Sequence, residues 1–184
     1  EYYFFLFIIF IFTLGNSTDA LLLVKASDVG VSDAYIPIIY LVFNAVSVLF
    51  AVPAGMLSDK IGREKLIIFG YVIYSGIYFG FGMAGNPLSM TLLFALYGVY
   101  SAATDGVQKA MVSDIVDSDK IGTGLGLYNC ILGVTLLPAS VIAGFLYDNI
   151  NNSAPFYYGA VLAMIAALLM VFYYMKRRKT FNVD

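Results

Sequence analysis

Six apolar stretches, each close to the length that crosses a bilayer, divide this 184-residue chain. A transmembrane helix takes about 20 predominantly apolar residues. Polar or charged breaks leave runs of that kind at about 2–24, 34–57, 66–84, 91–113, 122–148 and 156–175. The second run ends before Ser58-Asp59-Lys60, the third before Gly85-Asn86-Pro87, and the fifth before Asn149-Ile150-Asn151-Asn152. A β-barrel would need alternating strands of about ten residues, whereas these runs are apolar on both faces. The expected fold is therefore an all-α integral membrane protein. It is a single six-helix transmembrane bundle with a basic tail at 176–184 and the lipid bilayer as its solvent.

Composition closes off other classes. Apolar residues make up 61% of the chain and charged residues 12%, against roughly 45–50% and 25% in a soluble domain. A net charge of −2 leaves no basic face for a nucleic-acid partner. With no His and one Cys, neither a metal site nor a disulfide framework is expected. No Ser/His or paired-carboxylate constellation suggests an enzyme, no catalytic residue or cofactor is assigned, and no G-x-x-x-x-G-K-[ST] loop suggests ATP-driven work.

Basic residues set the expected orientation. With six spans, Lys60, Arg63, Lys65, Lys109, Lys120 and Lys176-Arg177-Arg178-Lys179 share one side, and only Lys25 falls opposite. The positive-inside rule puts that side, and both termini, in the cytoplasm of a cell (inner) membrane protein. The chain starts on Glu1 with an immediate apolar run and no basic leader. The expectation from this is a piece of a longer protein.

Polarity is uneven among the spans. Asn16, Ser17, Thr18 and Asp19 interrupt the first. Tyr40, Asn44 and Ser47 share one face of the second. Tyr97, Ser101, Thr104, Asp105 and Gln108 form a stripe along the fourth, and Tyr128, Asn129 and Thr135 lie in the fifth. The third and sixth carry no Asp, Asn, Gln, Lys or Arg. Burying such groups against lipid costs several kcal/mol, so the first, second, fourth and fifth spans should turn their polar faces to water or to each other. The third and sixth can then face lipid. Asn16, Asp19, Asn44, Asp105, Gln108 and Asn129 are the candidate substrate or coupling residues, although Asp105 and Lys109, at i and i+4, could simply neutralise each other. The Gly76/Gly80 and Gly122/Gly126 pairs have the spacing of close helix packing, and Pro138 is an expected kink.

The loop after the second span reads Gly55-Met56-Leu57-Ser58-Asp59-Lys60-Ile61-Gly62-Arg63-Glu64-Lys65. It resembles the G-x-L-(A/S)-D-(R/K)-x-G-R-(R/K) signature of major facilitator superfamily transporters, with Glu64 departing where a basic residue is common. Leu14 to Ala20, Tyr97-Gly98, Thr104 to Ala110, Gly122 to Asn129 and Leu137 to Ser140 are similar to the C-terminal half of efflux-like members. The resemblance implies secondary active transport of a small solute by alternating access, with proton coupling expected, and a partner N-terminal six-helix half or a second copy. It also implies a gating loop of Gly55, Asp59, Gly62, Arg63 and Asp114. Gly55 would permit close helix approach, Gly62 a tight turn, and Arg63 could pair with Asp114. The alternative from another class is a six-helix membrane protein that moves nothing, such as an assembly or receptor-like subunit.

Overall fold

The computed structural model describes residues 1–16 and 19–181; Ser17, Thr18 and the tail beyond Phe181 lie outside the described residues. Its helices are α1 (Tyr2–Gly15), α2 (Asp19–Asp28), α3 (Ile36–Ile61), α4 (Arg63–Met83), α5 (Pro87–Ile115), α6 (Ile121–Asn149) and α7 (Ala154–Phe181). Six segments are long and apolar enough to cross a membrane, the first running from Tyr2 to Asp28 across α1 and α2. Lipid offers backbone groups no hydrogen bonds, so chains built of such segments close those bonds within each helix. The first segment reaches beyond Val24, which brings Lys25 inside it instead of into a loop.

Local sequence explains where several helices start and stop. Asn86 caps α5, its Oδ1 accepting from the Ser89 amide at 2.9 Å, with Pro87 at the first helical position, where no amide is needed. Gly62 makes the turn from α3 to α4 at φ +96°, a region open to glycine and costly to side chains, as the sequence predicts. Pro53 and Pro138 lie inside α3 and α6, and both helices continue through them. In the α5–α6 turn, exposed Asp117 accepts from Lys120 at 2.9 Å, which holds the Asp117 carboxyl below its usual range and the Lys120 ammonium above it.

The helices pack as α4 on α7, α3 on α5, α4 on α5, and α1 on α7 and α6. Rings form the centre. Phe12 stacks on Tyr71 with centroids 4.1 Å apart, Tyr74 on Tyr78 at 4.0 Å, and Tyr97 on Tyr100 at 5.4 Å. Helices come closest where glycine leaves room. A Cβ on Gly159 would lie 2.5 Å from the Gly15 carbonyl, and one on Gly98 would lie 2.6 Å from the Phe43 carbonyl. These crossings tie α7 to α1 and α5 to α3. The expected pairs behave differently: a Cβ on Gly76, Gly122 or Gly126 meets nothing within 4 Å, and only Gly80 abuts a neighbour, Leu93. Small-residue spacing identifies a smooth helix face, but that face needs a neighbour within this chain to become a contact.

Polar contacts secure both ends of the bundle. At the end opposite the basic residues, buried Lys25 reaches Asn152 Oδ1 and Ser153 Oγ at 3.3 Å each, and Ser153 Oγ donates to the Gly82 carbonyl at 2.7 Å. Tyr147 donates to Asp28 nearby. At the basic end, Arg177 on α7 meets Glu64 on α4 at 2.7 Å.

A candidate solute cavity and its basic-end gate

The end of α1 and the start of α2 both border one cavity. Asn16 follows the last turn of α1, where the Gly15 carbonyl loses its helical partner. The Tyr74 hydroxyl, from α4, lies 3.2 Å from both that carbonyl and Asn16 Oδ1, and Tyr78 is 3.5 Å from the same Oδ1. Asp19 then begins α2. A carboxylate there gains from the helix dipole and accepts two phenolic hydroxyls, Tyr40 at 3.2 Å and Tyr97 at 3.3 Å. Those three contributions give a polar group within an apolar span its partners.

That cavity has a volume of about 520 Å³. Asn16, Asp19, Asp105 and Gln108 contribute to its walls, together with the rings of Phe12, Tyr97, Tyr100 and Tyr128. Gln108 is buried and engaged at both ends of its amide: its Oε1 accepts from Tyr128 at 2.7 Å and its Nε2 donates to the Tyr71 hydroxyl at 3.3 Å. This chain of bonds links α6, α5 and α4. Asp105 accepts from Ser101, one turn earlier, at 2.6 Å, and Ser101 in turn accepts from Ser47 on α3 at 3.2 Å. No ion pair within 4 Å joins Asp105 to Lys109 among the described residues, although Lys109 stays within electrostatic reach of the carboxyl group.

Two of the six sequence candidates stand apart from this cavity. Asn44 is exposed and donates to the Tyr40 carbonyl of its own helix at 2.8 Å. Asn129 is also exposed, because a step of about 100° around the helix gives the inward position to Tyr128. Conversely, polarity alone groups the tyrosines of α4 with the lipid-facing helices, yet Tyr71, Tyr74 and Tyr78 hold the polar centre. Their i, i+3, i+7 spacing is the available signal. A phenol hides it, since the ring is apolar enough for lipid and the hydroxyl still demands a partner.

The residues expected to form the gate gather at the basic end. Asp59, Gly62, Arg63 and Asp114 border a second cavity of about 530 Å³ with Ser58, Glu64 and Arg177. Arg63 Nε lies 2.8 Å from Asp114 Oδ2, joining α4 to the end of α5. Glu64, the departure from the expected pattern, faces Arg177, so an acid–base pair between α4 and α7 occupies the position where a basic residue is common. Asp59 is exposed and makes no hydrogen bond or ion pair among the described residues. Gly55 does not serve a close approach within this chain, since a Cβ there meets nothing within 4 Å. Among the described residues no cluster of His, Cys, Asp or Glu could hold a metal ion.

Comparison with known proteins agrees with this architecture. The sequence pattern of the Major Facilitator Superfamily matches residues 4–182. An uncharacterized MFS-type transporter of Methanocaldococcus jannaschii is 40% identical over 174 residues, 91% of this chain and 44% of that protein. A second from the same organism is 24% identical over 79% of this chain and 38% of its own length. The quinolone resistance protein NorA of Staphylococcus aureus is 24% identical over 90% of this chain and 42% of its own. The chain thus spans less than half the length of each of these relatives. With six apolar helices, the signature loop and these matches, the chain is a multi-pass membrane protein that belongs to the Major Facilitator Superfamily.

Proposed function

We propose that this chain forms the C-terminal six-helix half of a secondary transporter that moves a small solute by alternating access, coupled to protons and directed outward. One observation carries the reading: Asp19 and Asp105, two carboxylates at membrane depth, border a single cavity of about 520 Å³ whose walls also include the rings of Phe12, Tyr97, Tyr100 and Tyr128. Intramembrane carboxylates are costly and are kept where they bind or move charge. The relatives' greater length supports a partner six-helix half, which would supply the opposite cavity wall. Asp59, which no group among the described residues engages, then faces that half across the basic-end seam. The basic asymmetry supports a cell-membrane orientation with both termini in the cytoplasm.

In this reading Asp105 takes up and releases the coupling proton, Asp19 and Asn16 contact the solute, and the Arg63–Asp114 pair keeps α4 and α5 moving together. The test is transport by the intact protein in proteoliposomes under an imposed proton gradient. Asp105→Asn should insert and fold normally, exchange solute across the membrane, and lose gradient-driven accumulation to background. Full accumulation by that variant would end the coupling role. Absence of solute flux in the unmodified protein, across a broad panel, would favour a six-helix subunit that moves nothing.

A further inference from the structure

Asp105 borders two spaces. One is the central cavity; the other is a narrower groove of about 240 Å³ between α3 and α5, lined by Ser47, Ala51, Gly55, Asp59, Ser101 and Gly106 among others. This groove reaches from Asp105 toward the basic end, where Asp59 and Arg63 also line it. Twelve residues of α3 separate Ser47 from Asp59, a rise of about 18 Å. Its walls are small: Ala51 and Gly55 on one side, Ala102, Gly106 and Ala110 on the other. A Cβ added at Gly55 or Gly106 would meet nothing within 4 Å, so the space beside each is empty.

At its inner end the groove meets a directed row of hydroxyls. Ser47 donates to Ser101 at 3.2 Å, and Ser101 donates to Asp105 Oδ2 at 2.6 Å. Both donors point toward the carboxylate. A proton given to Ser47 from the groove can therefore pass to Asp105 by successive transfer: Ser47 releases its own proton to Ser101, which releases its own to Oδ2. Rotation of the two hydroxyls then restores the row, and no atom is left over. The groups within electrostatic reach of Asp105 are Asp19 on α2, Tyr71 on α4, Tyr97, Tyr100 and Lys109 on α5, and Tyr128 on α6. Only Lys109 among them is basic.

We propose that the α3–α5 groove is a water-filled passage through which Asp105 exchanges protons with the Asp59 end, by way of Ser47 and Ser101 and by a route separate from the central cavity. Solute in the central cavity and proton in the groove would then lie on different sides of Asp105. The passage rests on the orientation and coupling proposed above, and its test does not require transport.

The experiment measures thiol labelling in the intact protein carrying Cys130→Ala. Ser101→Cys is treated with a small, membrane-impermeant, charged thiol reagent added to inside-out or right-side-out vesicles. The expected result is labelling from the cytoplasmic face, slowed at least about tenfold by Gly106→Leu, because a thiolate reacts only where water and reagent reach it. Gly76→Leu, on the outer face of α4, should leave the rate unchanged. Should Gly106→Leu fail to fold, Gly55→Leu plugs the same groove from the other wall and must give the same slowing. Labelling that is indifferent to both plugs, or that occurs only from the outer face, would overturn the passage. Loss of flux with this labelling pattern intact would end the transport reading and leave the passage standing.

Discussion

Two pairs of helices in this bundle are buried to very different degrees. The apolar windows of α4 and α7 are 56% and 44% buried within the chain, those of α3 and α6 only 11% and 17%. Yet the less buried pair is at least as apolar, with mean hydropathies of 2.1 and 2.0 for α3 and α6 against 1.7 and 2.0 for α4 and α7. Hydrophobicity alone therefore does not choose the core. In lipid, apolar side chains gain little by meeting one another, and helices associate through close packing and shared polar contacts. The α4–α7 pair has both: Gly159 lets α7 approach α1 and Tyr78, Ser75 donates to the Ala160 carbonyl at 2.8 Å, and Arg177 holds Glu64. By contrast, α3 and α6 show aliphatic faces, with Val48 73% and Leu137 74% exposed.

The sharpest way to break this contrast is to remove the room that glycine provides. Gly159→Leu drives a side chain into the Gly15 carbonyl and the Tyr78 ring, and should cost ~3 kcal/mol or more. The same change at Gly144 on α6, where nothing lies within 4 Å, should be tolerated. Thermal unfolding in detergent, followed by helical circular dichroism, checks both; equal effects would mean that the two pairs are held alike.

A smaller effect tests polar contacts against apolar area. Tyr74→Phe keeps the ring stack and leaves the Gly15 carbonyl without its hydroxyl donor. It should destabilise by about 1–2 kcal/mol, whereas Val48→Ala should stay within about 0.5 kcal/mol. Reversal of that order would return the core to hydrophobicity.

The smallest expected effect is at the ion pair of the packed helices. A double-mutant cycle on Glu64→Gln and Arg177→Gln should give a coupling of about 1 kcal/mol or less, since both side chains are partly hydrated and salt screens them. The coupling should shrink further at high salt. A value several times larger would make this pair, and not glycine packing, the principal fastening.

Much of the architecture was legible because lipid imposes a length and a composition on every span. The polar break at Asn16 and Asp19 was visible for the same reason, since nothing apolar would tolerate it without a partner. What the sequence hid was direction. Periodicity groups Tyr40 and Asn44 on one face of α3, but only the placement of neighbours decides that Tyr40 reaches Asp19 while Asn44 turns to its own backbone. Gly76, Gly122 and Gly126 carry the spacing of packed helices and meet nothing within 4 Å in this chain; spacing does not say where the opposing surface is. Glu64 is a departure without a reason until α7 brings Arg177 beside it, across more than a hundred residues of sequence.

The stacked rings at the centre also decide how the molecule can be watched. The chain has 15 Tyr and no Trp, so its ultraviolet emission is that of tyrosine alone. Tyr71, Tyr74, Tyr78, Tyr97 and Tyr100 lie close enough for excitation to pass from ring to ring. A single indole introduced at Leu136, on the cavity wall, would collect that energy as the one indole of this chain. Its brightness and colour would then follow wetting of the cavity directly, without any dye.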